Sequence, residues 1–387
     1  MREARKALHG HGASDVHSGA TNVKMAHIPV VIAGGGIAGM AVALSLINRG
    51  IACLIIEPEI TLNARIGETI PPSATSLLAR CGIDHLLIDP AHLPCYGNQF
   101  VWGSSKPYEK SFFSQINPHG WHLDRPFFEK QLRTHCVSRG IEWLPGHRIT
   151  HIDQHLDGWH ISLDGGGNIA GKVSCSFLVD ATGRQARIAR MLGRKRRRLD
   201  ALIGISTQLT TDGTAVPHYT YIEAVANGWW YAAPLANKRL SVVYMTDNDL
   251  IDKELTSTSH FLRCARETSL ISDIIKRNLS ANAEETTLRP ASTTALDEQT
   301  GDRWLAVGDA AYAFDPISSY GIMSALEGGY YAGHAIADTL AGSTEALTAY
   351  DVIISQAFAI YLKMHSEQYA AERRWEAMPF WGRRRIR

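Results

Sequence analysis

The first sustained apolar run, residues 28–33 (IPVVIA), is short and unbroken, as in a strand buried on both faces. Gly34 to Gly39 interrupts it, and residues 40–48 (MAVALSLIN) then read as a helix closed near Arg49 and Gly50. A second unbroken run, residues 52–56, ends at Glu57. Strand, helix and strand within about 30 residues predict a βαβ unit and a parallel sheet. Further along, the pattern predicts a helix over 127–139, strands at 141–144, 159–163 and 173–179, and antiparallel strands between 202 and 246. It continues with a helix over 260–278, a buried strand at 304–307, a helix rich in small residues over 321–340, and helical structure from 347 to 377. No internal repeat is present.

With 387 residues, 45% of them hydrophobic, the chain can build a large core. Its net charge of +1 gives no reason to expect a polyanionic partner, and nucleic acid is not expected, since no aromatic residues interleave its basic run. The six cysteines stand singly with no C-x-x-C pair, as in a reduced, cytoplasmic protein. No run approaches the roughly 20 apolar residues of a membrane span, so no membrane is expected as a partner. Residues 1–26 are polar and read as a disordered leader. The 17 histidines show no ligand spacing such as H-E-x-x-H, and no metal is expected.

Chemistry enters with Gly34-x-Gly36-x-x-Gly39 between the first strand and helix, followed by Glu57 at the end of the second strand. The first glycine permits a tight turn, the second lets the backbone approach a pyrophosphate, and the third lets helix and strand pack closely. Phosphates would sit at the helix N-terminus, beside Ile37 and Ala38, and Glu57 would accept hydrogen bonds from a ribose diol. These features point to a dinucleotide.

Two later strand ends narrow it. Val179-Asp180-Ala181-Thr182-Gly183-Arg184 closes one strand; Leu305-Ala306-Val307-Gly308-Asp309 closes another, followed by Asp315-Pro316-Ile317-Ser318-Ser319-Tyr320-Gly321. In this order they resemble the FAD-dependent flavoprotein hydroxylase superfamily, which includes the flavin-dependent halogenases, from His27 onward. The resemblance implies FAD as cofactor, with Asp309 on the ribityl chain and Asp180 and Gly183 at the cofactor. It places Pro316, Gly321 and Ile322 beside the flavin ring, Arg65 and Glu68 of the RIGET segment along the cofactor, and Arg125 near it.

Residues 67–83, the Gly228-Trp229-Trp230-Tyr231-Ala232-Ala233-Pro234 segment and the tail from Arg374 onward are similar to the halogenase-like branch. Flavin halogenases carry a lysine where this chain has Thr75, and tryptophan halogenases a glutamate where it has Ser318. Threonine has no amine to hold a hypohalite. The double Trp and the Pro379-Phe380-Trp381 segment resemble flavoproteins that oxygenate a tryptophan of a partner polypeptide during quinone cofactor maturation. The resemblance therefore implies a monooxygenase acting on an electron-rich aromatic, either a small molecule or a partner polypeptide, with O2 as co-substrate. Electrons would come from NAD(P)H or a separate flavin reductase, since only one dinucleotide motif is present. A halogenase, a non-oxygenating FAD reductase and an FAD-bound scaffold are the alternatives.

The pocket candidates are Thr75, Trp229, Trp230, Tyr231, Ser318, Ser319 and Tyr320, with His122 a weak candidate for a base. The run of cations at 194–198 reads as a solvated loop or as a docking surface for an acidic partner. The fold expected is α/β, with a Rossmann-like FAD-binding domain, an antiparallel-sheet substrate domain and a helical C-terminal part covering the cavity. The FAD domain would comprise 27–90, 122–195 and 296–340, the substrate domain 91–121 and 196–295, and the helical part 341–387.

Overall fold

The structure, a computed structural model, describes residues 26–58, 67–165, 171–211 and 216–385. The expected disorder of the leader and the role expected of Arg65 fall outside the described residues, Ala26 apart.

The first two apolar runs form β1 (Ala26–Ala33) and β2 (Cys53–Glu57), parallel, with Val30 opposite Cys53 and Ala33 opposite Ile56. Both faces are covered, which is why neither run alternates with polar residues. Between them, α1 (Ile37–Ile47) is buried from Ile37 to Leu46. It starts earlier than its apolar run predicts, inside the glycine segment, because Gly36 serves as N-cap. Next, α2 (Arg125–Ser138) is capped by Asp124, which accepts from the Phe127 backbone N–H at 3.1 Å, and Pro126 fits its first turn. The strand at Trp304–Ala306, β4 (Gly171–Asp180), β1, β2 and β3 (Glu142–Pro145) succeed one another as a parallel sheet.

A second sheet holds β5 (Leu202–Thr211), β6 (Tyr219–Val225), β7 (Gly228–Leu235) and β8 (Arg239–Asp247), antiparallel in the order β5, β8, β7, β6. Gly97–Val101 joins β6 in parallel. The α/β architecture with an antiparallel second sheet is as the sequence predicts.

The small residues of α3 (Gly321–Leu340) have a direct use. A Cβ on Gly329 would come 2.4 Å from that of Ala41, and one on Gly333 2.4 Å from that of Ser45. The two helices touch backbone to side chain there, and any larger residue would push them apart.

Two predicted helices are interrupted, each at a buried carboxylate. The helix expected over 260–278 is split into Thr258–Arg266 and Leu270–Asn278. Buried Glu223 accepts from Ser269 N–H at 2.7 Å, Ser269 Oγ at 2.8 Å and Ile271 N–H at 3.0 Å, starting the second piece anew. The C-terminal helix α4 (Ala346–Ala371) stops at Glu372, which accepts from Gly103 N–H at 2.7 Å and Arg374 N–H at 2.8 Å. Helix then resumes only at Pro379–Gly382.

Candidate functional site

A cavity of about 400 Å³ lies where α1, α3, β4 and the second sheet meet. The three motif glycines divide their work around it. Gly34 has φ +110°, and a Cβ there would fall 2.3 Å from Ala181 O; one on Gly39 would fall 2.1 Å from Gly34 O. These two let loop and helix close on each other. A Cβ on Gly36 would meet nothing within 4 Å, because Gly36 faces the cavity with Ile37 and Ala38. Neither α1 nor α3 has a side-chain cap, so the first-turn N–H groups of both helices are left for a ligand.

Around that opening, Arg125 gives Nη1 to Gly67 O (2.7 Å) and Nη2 to Glu129 Oε1 (2.9 Å), while its buried Nε has no partner. Asp309 lies across the cavity with Arg184 Nε 3.3 Å from its Oδ2. Arg184 also holds Ser292 O at 2.5 Å and Phe314 O at 3.1 Å. Gly183, Pro316, Ser319, Gly321 and Ile322 complete this side, Ser319 in the left-handed region at φ +51°. An open helix N-terminus, an unpartnered guanidinium N–H and an acid opposite suit a diphosphate with a polyhydroxyl chain.

Strand periodicity sorts the double Trp. Trp229 and Tyr231 point to the cavity. Trp230 points to the other face, stacked on Tyr244 with centroids 4.7 Å apart, and is core, not pocket. Trp229 Nε1 donates to Tyr369 Oη at 2.9 Å, and Tyr369 donates to Asp315 Oδ2 at 2.8 Å. His365 Nε2 lies 3.1 Å from the same Oδ2, and Asp315 Oδ1 accepts from Ile317 N–H at 2.9 Å. The C-terminal helices, expected to cover the cavity, contribute no lining residue; they brace its wall from behind.

Other expected site residues stand elsewhere. Thr75 is exposed, with its hydroxyl on Pro72 O at 3.1 Å, off the cavity. Ser318 Oγ is spent on Asp315 O at 2.8 Å, and Tyr320 Oη on Glu327 Oε2 at 2.6 Å. Asp180 is turned away from the cavity: its carboxylate accepts from Thr182 N–H and Oγ1 and from Ala189 N–H, at 3.0, 2.6 and 2.8 Å. Glu57 does not line the cavity; Arg133 pairs with it and Trp143 Nε1 donates to it at 3.2 Å.

Glu68 is buried beneath the wall and accepts from Ser241 Oγ at 2.9 Å. Burial raises its pKa, and burial with the nearby Glu68 carboxylate holds Tyr231 well above the usual phenol range, so Tyr231 keeps its proton. Tyr231 Oη shares a hydrogen bond with Thr69 Oγ1 at 2.8 Å. His122 is fully buried and its pKa is pushed down to about 3 by burial and by the neighbouring His218; neutral, and bonded to Thr220 Oγ1 at 3.0 Å, it is structural, not a base.

The basic run is not one surface. Arg196 turns inward, donating to Asp309 O at 2.6 Å, and burial lowers its pKa to about 10. Arg194 pairs with Glu298 at 2.5 Å. Lys195, Arg197 and Arg198 remain exposed cations with no ion pair among the described residues. On another face, His260 lies 3.1 Å from Asp252 and 2.9 Å from Glu254, an exposed group able to share an ion.

Sequence reasoning missed Arg184, Arg289, Met245, Phe314 and Asp315 at the cavity. It also passed over Gly35, where a Cβ would meet Trp143 at 2.3 Å and Glu57 at 2.8 Å. Arg184 and Gly35 each adjoin a motif glycine, a signal that was present.

The FAD binding domain family matches residues 27–357. A protein of Marinomonas mediterranea named as an FAD-dependent oxidoreductase, LodB, is 30% identical over 359 residues, 92% of this chain and 96% of its own. The myxobacterial chondrochloren halogenase CndH has the same fold, with a TM-score of 0.85 and 18% identity over 94% of this chain and 86% of that one. So does the peptidyl tryptophan dihydroxylase QhpG, with a TM-score of 0.75 and 24% identity over 93% and 79% of the two chains.

Proposed function

The chain belongs to the FAD binding domain family and is an FAD-dependent oxidoreductase, and from that premise we propose that it is a monooxygenase hydroxylating an electron-rich aromatic ring. The ring is an indole or phenol, carried by a small molecule or by a tryptophan of a partner polypeptide. The peptidyl tryptophan dihydroxylase of the same fold supports the second form. Electrons come from NAD(P)H or a separate flavin reductase, and O2 is the co-substrate.

In this reading Gly36, Ile37, Ala38 and the open start of α1 hold the pyrophosphate, with Arg125 alongside. Glu57 with Arg133 serves the adenosine ribose, Asp309 the ribityl chain, and Gly183, Pro316, Gly321 and Ile322 the ring system. The flavin part is assigned to 27–90, 122–195 and 296–340, the substrate part to 91–121 and 196–295, and the supporting helices to 341–387.

Bound and reduced, FAD supplies activation of oxygen and delivery of one oxygen atom to the ring. The protein does the positioning. Trp229, Met245 and Phe314 give the cavity an apolar wall that excludes water, and Tyr231 presents a phenol that remains protonated and able to donate.

The observation that carries the hydroxylase reading over a halogenase is Thr75, whose hydroxyl is spent on Pro72 O at 3.1 Å, at the position where the resemblance to halogenases calls for a lysine. Threonine offers no amine to a hypohalite. The test is turnover of reduced, FAD-loaded protein under isotopically labelled oxygen, with chloride and bromide present, against indoles, phenols and tryptophan-bearing polypeptides. Mass spectrometry should show labelled oxygen in the product. A halogen isotope pattern would replace this reading by halogenation, and anaerobic turnover would replace it by reduction.

A further inference from the structure

Four tryptophans lead from the cavity wall to the surface. Trp229 lines the cavity; the ring centroid of Trp102 lies 6.4 Å from it, that of Trp381 5.2 Å from Trp102, and that of Trp375 6.3 Å from Trp381. The first three are at most 3% exposed, and each indole N–H is held. Trp229 donates to Tyr369 Oη at 2.9 Å, Trp102 to Gln368 O at 2.8 Å and Trp381 to Val225 O at 2.9 Å. Trp375, half-buried, is the most exposed of the four. The Arg374 guanidinium lies 4.1 Å from its ring centroid, with its charge matched by Glu372 at 2.6 Å.

Indole is the most readily oxidised neutral aromatic side chain, and rings in contact exchange an electron far faster than rings separated by saturated chain. We infer that Trp229, Trp102, Trp381 and Trp375 form a hole-transfer chain that carries oxidising equivalents out of the cavity. A hydroxyl radical, formed with hydroxide when ferrous iron in solution gives one electron to the hydrogen peroxide that oxygen activation leaves without substrate, takes one electron from Trp229 and becomes hydroxide. An electron from Trp102 refills Trp229, one from Trp381 refills Trp102, and one from Trp375 refills Trp381. Trp375 then releases its indole proton to water, which neutralises the hydroxide. A thiol in solution returns one hydrogen atom to Trp375 and becomes a thiyl radical. The cavity wall is thereby spared, and the damage is moved to a replaceable reductant.

The inference rests on the cavity being the flavin site, and the experiment separates the two. FAD-loaded protein without substrate is flashed in the visible band of the oxidised flavin, whose excited state accepts one electron in place of the radical. Transient absorption and electron paramagnetic resonance should show a tryptophanyl radical that outlives direct recombination. Trp102→Phe should abolish the long-lived signal, and Trp375→Phe, at the half-buried outer end, should shorten it. Protein that retains no flavin overturns both readings together. Bound flavin with no long-lived tryptophanyl radical overturns the chain alone. So does a tyrosyl signal that survives Trp102→Phe and vanishes in Tyr369→Phe.

Discussion

The indole N–H of Trp229 donates to Tyr369 Oη at 2.9 Å, so a side chain of the cavity wall is held by a helix that does not reach the cavity. Tyr369 passes the restraint on to Asp315, whose loop carries Ser319 in the left-handed region on the opposite wall. Tyr369→Phe leaves the Trp229 N–H without its acceptor and Asp315 short of a donor, both buried. Each orphaned group should cost about 1–3 kcal/mol. Denaturant unfolding should show the loss, and FAD should dissociate faster. An unchanged midpoint would mean that water replaces the hydroxyl.

The glycine geometry separates folding from binding. Gly36→Ala puts a methyl into open space at the cavity and should fold normally while weakening FAD retention, read as flavin absorbance after gel filtration. Gly39→Ala drives a methyl against Gly34 O and should lower stability before any question of cofactor arises. Equal effects of the two on flavin content alone would contradict this division.

Trp229→Phe and Trp230→Phe should differ in kind. The first alters the cavity and should change turnover or product distribution. The second removes a ring stacked on Tyr244 and set edge-on to Phe261 at 5.0 Å, and should lower stability while leaving the product unchanged.

His122 sets an acid limit. Its folded pKa, about 3, lies below the ordinary value of 6.5, so the unfolded chain binds the proton first. Its contribution to stability is therefore complete above pH 6.5 and is lost as pH falls toward the folded value. At about 1.4 kcal/mol per unit, roughly 2 kcal/mol should disappear between pH 6.5 and 5. His122→Gln should flatten that stretch of the stability curve; a parallel curve would assign the acid sensitivity to other groups.

Splitting the basic run revises what mutagenesis there can report. Arg196→Ala removes a donor to Asp309 O and should reduce FAD content. Arg197→Ala with Arg198→Ala should leave FAD content unchanged, and would slow modification of an acidic partner at low salt if these two cations guide it. Modification unaffected by either salt or the double substitution would make them a solvated edge.

What was legible in the chain was local. Unbroken apolar runs marked the buried parallel strands, and three glycines with Glu57 marked the loop, because each signal lies within a few residues of its cause. The sequence named Trp229, Trp230 and Tyr231 alike as pocket candidates; alternation along β7, which puts Trp229 and Tyr231 on one face and Trp230 on the other, separates them only once the strand is placed. The turning of Arg196 was not legible, since three-residue pairing of Arg196–Arg198 with Thr294–Leu296 brings together segments nearly a hundred positions apart. The hold of His365 and Tyr369 on Asp315 spans 50 and 54 positions, and no periodicity announces it. Glu223 and Glu372 ended predicted helices for the same reason, as buried acids that recruited backbone N–H groups from other elements.

Because Asp315 and Trp229 are both fastened by residues of α4, the timing of synthesis matters for this protein. On the ribosome, the glycine loop and both sheets emerge well before residues 365–369, and until those follow, one wall of the cavity stands without its brace. The wall that holds the flavin is thus closed by a latch made later in the chain than the loop and sheets it secures.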